Sequence, residues 1–220
     1  VVSWEVRVAR DDTRLFQKLD DFIAGRLGEG EIDEDRRVLL DRLAEFVSRR
    51  LADGGPARLV FICTHNSRRS HFAQLWAQVA AEVFGVTGVE TYSGGTETTA
   101  FNPRAVAALR RAGFLIELFT DGANPIYEVS FKEGMEPIQA FSKVYDEQPN
   151  PTEGFAAVMT CSSADAACPT AIGAAERIAI RVEDPKDVDG TGRETDAYDE
   201  RCAQIAREML YVFSTVGIDG

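Results

Sequence analysis

From Leu59 to the carboxyl end, apolar runs of strand length alternate with longer amphipathic stretches, and that alternation leaves few folds open. Runs at 59–62, 89–93, 155–160 and 177–182 read as strands, and periodic stretches near 69–84, 103–112 and 196–214 read as helices. Strands of this apolar kind, separated by helices, form a parallel sheet covered on both faces. The expected fold is therefore α/β: three layers, αβα, on a four-stranded parallel sheet. Two patterns fall outside it. Leu15, Phe16, Leu19, Phe22, Ile23 and Leu27, then Val38, Leu39, Leu43, Phe46, Val47 and Leu51, recur at three-and-four spacing and predict two helices. Gly28-Glu29-Gly30 separates them and Gly54-Gly55-Pro56 closes them, so residues 1–56 are expected to be an N-terminal helical extension of a catalytic unit at 57–220. Residues 119–150 read as an insertion, with strands at 126–131 and 140–145 joined through Lys132-Glu133-Gly134 into a β-hairpin that could cover a substrate.

Charge narrows the partners. The net charge is -12 and no basic stripe is present, so nucleic acid is not expected. No signal-peptide pattern opens the sequence and no apolar run reaches membrane length, so a cytoplasmic, membrane-free protein is expected. The four cysteines, at 63, 161, 168 and 202, are too few and too scattered for a disulfide scaffold and point to thiol chemistry.

The stretch VFICTHNSRRS carries the chemistry. A buried parallel strand ends on Cys63, at the sheet edge where backbone amides and a helix amino terminus converge. Five residues separate Cys63 from Arg69, and Ser70 follows. A loop of Thr64, His65, Asn66, Ser67 and Arg68 can curl its N–H groups around a tetrahedral oxyanion such as phosphate or arsenate, while the Arg69 fork holds two oxygens. The same positive field favours a Cys63 thiolate aimed at the central atom. Ser70 or Ser67 can hydrogen-bond that sulfur, and Asn66 can fix the loop. A cysteine ending an apolar strand is more often simple core, but here a strand precedes the motif and a helix follows it.

CTHNSRRS, followed by the amphipathic helix HFAQLWAQVAAEVFG, resembles the phosphate loop of the low-molecular-weight protein tyrosine phosphatase superfamily, which includes the thioredoxin-coupled arsenate reductases. The resemblance extends through Tyr92-Ser93-Gly94-Gly95 and Phe101-Asn102-Pro103-Arg104-Ala105 and covers roughly residues 58 to 214. Two positions depart from the family pattern: Arg68 stands where a second cysteine is frequent, and His65 where a small residue is. The resemblance implies a general acid from an Asp-Pro dipeptide. Asp184-Pro185 follows the last predicted strand at the same sheet edge, with Glu183 as the fallback. It also implies a redox pair: Cys161 ends an apolar strand as Cys63 does, and Cys168 follows in the pattern Cys-Ser-x-Ala-Asp-x-x-Cys-Pro.

The reading that follows is an arsenate reductase with Cys63 as nucleophile, Cys161 and Cys168 as relay, no bound cofactor or metal, and thioredoxin or another dithiol as external reductant. The alternative is a phosphotyrosine phosphatase using Cys63, Arg69 and Asp184 alone. A third is an inactive anion-sensing module, against which the intact nucleophile, clamp and acid argue. Tyr127, Phe131, Tyr145 or Trp76 could wall a pocket for an aromatic substrate, although such side chains are more often core. Cys202 falls on the apolar stripe of the last helix and is expected to be core; His71 is assigned no role.

Overall fold

The computed structural model describes residues 15–26, 32–167 and 171–217. Leu27, the Gly28-Glu29-Gly30 separator and Cys168 lie outside the described residues. The two helices expected in the N-terminal segment are α1 (Gln17–Arg26) and α2 (Glu34–Ala52). Then follow β1 (Ala57–Cys63), α3 (Arg69–Val83), β2 (Val89–Gly95), α4 (Pro103–Ala112), β3 (Leu115–Thr120), β4 (Ile126–Ser130), β5 (Ile138–Ala140), β6 (Phe155–Met159), α5 (Ser162–Ala167), β7 (Ala174–Ile178) and α6 (Glu194–Thr215). The expected four-stranded parallel sheet is present, in the order β2-β1-β6-β7.

Side-chain alternation along the strands divides the interior into two layers. Leu59 and Phe61 of β1, with Ala156 and Val158 of β6, face a large core shared with α1, α2, α3, α4 and α6. Val60, Ile62 and Cys63, with Phe155, Ala157, Met159 and Cys161, face a smaller one closed by Ala164 of α5, Ala171, Tyr92 and Tyr145. One face thus carries nearly all the helical mass, including the N-terminal pair.

Polar contacts fix how the helices sit. Arg36 of α2 donates to both carboxylate oxygens of buried Glu208 on α6, at 3.0 and 2.6 Å, and to the Arg181 carbonyl at 2.9 Å. A forked, charge-assisted pair of this kind sets relative orientation as well as attraction. At the start of α4 the Asn102 side chain accepts from Arg104 N–H at 2.9 Å, with Pro103 as the first helical residue. The helix ends on Gly113 at φ 117°, where a Cβ would come within 2.4 Å of the Leu19 amide nitrogen, so α1 packs there only because the residue is glycine.

The insertion differs from the expected hairpin. β4 and β5 do pair antiparallel, with Tyr127 opposite Ala140, but they form a three-stranded sheet with β3, a strand the sequence pattern did not reveal. Leu115, Leu118 and Phe119 of β3 are exposed, so the apolar alternation that marks a half-buried strand is missing. The expected second strand at 140–145 is split. Pairing with β4 stops at Ala140, and residues 143–145 leave it to run beside β2, where Gly95 N–H donates to the Lys143 carbonyl at 2.8 Å and Tyr145 N–H to the Gly95 carbonyl at 2.9 Å. β7 also begins and ends earlier than predicted, because its partner β6 ends at Met159. Beyond it Ile180 and Val182 still face the large core, and Val182 N–H reaches the Thr160 carbonyl at 3.0 Å.

Candidate active site

Cys63 is the last residue of β1, paired with Gly95 on one side and one residue beyond the pairing of Ile62 with Met159 on the other. The loop that follows is held from outside by its carbonyls. Those of Cys63, Thr64, His65 and Ser67 accept from Thr96 N–H (3.2 Å), Glu97 N–H (2.8 Å), the Thr99 and Ser142 hydroxyls (3.1 and 2.9 Å) and Asn102 N–H (2.9 Å) respectively. In a trans peptide the N–H points opposite to its carbonyl, so the amides of Thr64, His65, Asn66 and Arg68 turn the other way. Close approach is what allows this: a Cβ on Gly95 would meet the Glu97 carbonyl at 2.4 Å and the Asn66 nitrogen and Thr64 carbonyl at 2.8 Å.

Asn66 fixes the loop's curl. It sits at φ 44°, a left-handed conformation that asparagine tolerates better than most residues. Its fully buried side chain donates from Nδ2 to Ser70 Oγ at 2.9 Å and accepts at Oδ1 from Lys143 N–H at 3.0 Å. Ser70 Oγ is 3.1 Å from Cys63 Sγ. Since Ser70 already accepts from Asn66, its own hydrogen is available to the sulfur. Of the two serines proposed for that contact, Ser70 makes it; Ser67 is held through its backbone.

Arg69 opens α3 and reaches across the sheet edge. Its terminal nitrogens donate to the Val182 carbonyl at 2.9 Å and to Asp184 Oδ2 at 2.8 Å, while its buried Nε has no protein partner. Asp184 Oδ1 accepts from Lys186 N–H at 3.2 Å, capping the short 3₁₀ turn Pro185–Val188. The Asp-Pro dipeptide therefore starts a turn and also brings a carboxylate to the arginine. Arg68 points elsewhere: Nε donates to the Tyr198 hydroxyl of α6 at 2.9 Å, and the guanidinium lies 3.9 Å from both Asp184 and Asp189. His65 is on the rim, 3.5 Å from Glu97. Glu183 pairs with Arg201 at 3.2 Å and is exposed.

The second thiol is adjacent. Cys161 Sγ lies 3.5 Å from Thr64 Oγ1 and accepts from Ala164 N–H at 3.3 Å. Asp165, four residues on, ties α5 to Arg177 of β7 and to Arg181, and these arginines hold its carboxyl below the usual range against the opposing effect of burial. Cys202 is core as expected: Trp76 Nε1 donates to its sulfur at 3.2 Å and burial pushes the thiol up to about 12. Trp76 and Phe131 are fully buried and wall no opening. No group of three or more His, Cys, Asp or Glu side chains converges as a metal site among the described residues.

Three contributors escaped the sequence reading. Ser142 links Thr99 N–H to the His65 carbonyl, Lys143 N–H supports Asn66, and His71 lies buried behind the loop. The one available signal was a lysine inside the apolar run Ala140-Phe141-Ser142-Lys143-Val144. His71 stacks on Phe101 at 4.0 Å and its Nδ1 is 3.3 Å from Ser93 Oγ; burial, and then the charge of Lys143, hold it well below 6.5. It is neutral in the folded state, whereas the unfolded chain takes up a proton near 6.5, so stability should be full above that pH and fall as pH drops through it. One such group gives a slope of up to about 1.4 kcal/mol per pH unit. Urea unfolding between pH 7.5 and 5, compared with His71→Phe, should show the slope shrinking in the variant; an unchanged slope would assign it to other groups.

The fold and the site together define a three-layer α/β protein with a Cys-x5-Arg loop at the carboxyl edge of its sheet. Residues 58–133 match the family model "Low molecular weight phosphotyrosine protein phosphatase", which bears out the resemblance read from CTHNSRRS. Arsenate reductase of Staphylococcus aureus (strain bovine RF122 / ET3-1) is 43% identical over 63 residues, covering 28% of this chain and 44% of that protein. The same enzyme of strain Newman is 41% identical over 63 residues, with the same coverage. The chain thus spans under half the length of the curated relatives it matches. Among solved structures, a low-molecular-weight protein tyrosine phosphatase from T. tengcongensis is 15% identical with a TM-score of 0.45, covering 70% of this chain and 95% of that one. A YwlE mutant from Bacillus subtilis is 15% identical with a TM-score of 0.45, covering 71% and 96% respectively. No helix among the described residues is long and apolar enough to cross a membrane.

Proposed function

We propose that the chain is a cysteine-dependent enzyme acting on tetrahedral oxyanions, and that its reaction is the reduction of arsenate. The observation that carries the oxyanion reading is the buried, partnerless Nε of Arg69 beside a loop whose carbonyls are taken up from outside. A buried donor without an acceptor is costly, and an anion oxygen would satisfy it. The catalytic unit is residues 57–220 with the insertion at 119–150, and residues 1–56 are its extension; the family match beginning at residue 58 supports that division.

In this reading the Cys63 thiolate forms an S–As bond as one arsenate oxygen leaves as water, with Asp184 and solvent supplying its protons. The Cys161 thiolate then bonds to the Cys63 sulfur. The S–As electron pair stays on arsenic, which passes from As(V) to As(III) and leaves as arsenite. The Cys168 thiolate next attacks Cys161, freeing Cys63 as thiolate and leaving a disulfide between 161 and 168. Thioredoxin or a similar dithiol reduces that bond and is itself oxidised, in a cytoplasmic setting where thiols are kept reduced. No bound cofactor enters. The 3.5 Å approach of Cys161 to Thr64 supports the relay, as does the likeness to arsenate reductases over 63 residues.

The second reading, phosphotyrosine hydrolysis through a cysteinyl-phosphate, is favoured by Asp184, whose carboxylate is 2.8 Å from Arg69. Arsenate-dependent NADPH oxidation in the presence of thioredoxin and thioredoxin reductase separates the two. Cys161→Ser should lose that turnover by on the order of 100-fold while cleaving p-nitrophenyl phosphate within about threefold of wild type. Wild-type protein that cleaves the ester but oxidises no NADPH would move the assignment to phosphatase.

A further inference from the structure

Lys143 is the one buried lysine or arginine among the described residues, 3% exposed. It belongs to the insertion, yet its N–H supports Asn66 and its carbonyl accepts from Gly95, so its backbone is built into the wall of the Cys63 loop. The ammonium lies 4.6 Å over the Phe141 ring and makes no ion pair among the described residues. The charged and titratable groups acting with it are His71 of α3, kept neutral by burial, and Glu147 of its own segment. His71 directly follows Ser70, the residue that touches Cys63 Sγ. A desolvated cation without an ion-paired carboxylate costs stability, and proteins retain that kind of cost at functional sites.

We propose that Lys143 is a positioning residue for the bound oxyanion: its ammonium, buried over the Phe141 ring on a segment whose backbone holds the Cys63 loop, is a fixed positive charge that strengthens the loop's hold on the anion without touching it. The proposal rests on the oxyanion reading of that loop. In a weakly screened interior such a charge acts through several ångströms, and the anion is its natural counter-charge. Burial pushes the ammonium down to about 8, with Glu147 pulling it back up, so the charge is present at neutral pH and fades as pH rises through that value.

The test is calorimetric titration of inorganic phosphate into wild type and Lys143→Met at pH 7 and pH 9. Taking the ratio of the two affinities at each pH removes phosphate's own ionisation. The ratio should be about five- to tenfold in favour of wild type at pH 7 and fall toward one at pH 9. Lys143→Met should also unfold at no lower a temperature than wild type, because an apolar side chain of similar length replaces an unpaired buried charge. Lys143→Arg, which stays charged, should retain phosphate at pH 9. A folded methionine variant that binds phosphate as wild type does at pH 7, or a ratio that does not change with pH, would overturn the role of the lysine. Wild-type protein that binds no phosphate at either pH would overturn the oxyanion reading and this proposal with it.

Discussion

A Cys63→Ser variant should fold as the wild type does and lose both p-nitrophenyl phosphate hydrolysis and arsenate reduction by on the order of 10⁴-fold or more. The fold should survive because serine is the smaller side chain at a buried position and Ser70, 3.1 Å from the sulfur, can hydrogen-bond a hydroxyl as well. Activity should not survive, since a hydroxyl at neutral pH is not ionised and, among the described residues, the side chain that hydrogen-bonds residue 63 is Ser70, which is no general base. Phosphate binding, which the proposed function assigns to the loop amides and Arg69, should be kept within a few-fold. Calorimetry beside the two activity assays tests this division. Residual turnover within about tenfold of wild type would remove Cys63 from the nucleophile role.

Gly95→Ala should be nearly as damaging by a different route. The added methyl would meet the backbone of Glu97, Asn66 and Thr64 at 2.4 to 2.8 Å, and none of these is the yielding end of a side chain. Either β2 or the loop must move. Overpacking of this kind costs about 1–3 kcal/mol, and a loop displaced by about 1 Å loses on the order of 100-fold in rate. Gly192→Ala is the matched control, since a Cβ there meets nothing within 4 Å and the backbone is not left-handed. Thermal unfolding and ester hydrolysis should change in the first variant and not in the second. A Gly95→Ala protein with normal stability and rate would mean that the loop adapts more freely than its packing indicates.

What was legible in the sequence was whatever depends on local pattern. Cys63 and Cys161 each end a short apolar strand, and that alone assigned both to one edge of the sheet. The Asn102-Pro103 helix start was readable from residue preferences; Gly113, which lets the backbone of α1 lie against the end of α4, was not. The rest depends on contacts between distant segments. The hold of Ser142 and Lys143 on the loop joins residues 77 positions apart, and no periodicity encodes it. β3 was invisible because Leu115, Leu118 and Phe119 are exposed and Ile116 alone of its apolar side chains is buried, so no alternation marks it. The reach of Arg69 to the Val182 carbonyl and to Asp184 needs the extended path of residues 179–184, which continues past the end of β7 and is tied to the segment after β6 by Val182 N–H.

The neighbouring positions of β1 and β6 have an evolutionary consequence. Because the two strands pair in register, the second residue past β6 borders the Cys63 loop whatever amino acid occupies it. An ancestral esterase on this scaffold could acquire electron-transfer chemistry by exchanging that side chain for a thiol and gaining a second thiol, as at Cys168, to resolve it. Descendants separated by that exchange would share nearly identical frameworks while performing reactions of different formal class, and overall shape would be a poor guide to which of them does which.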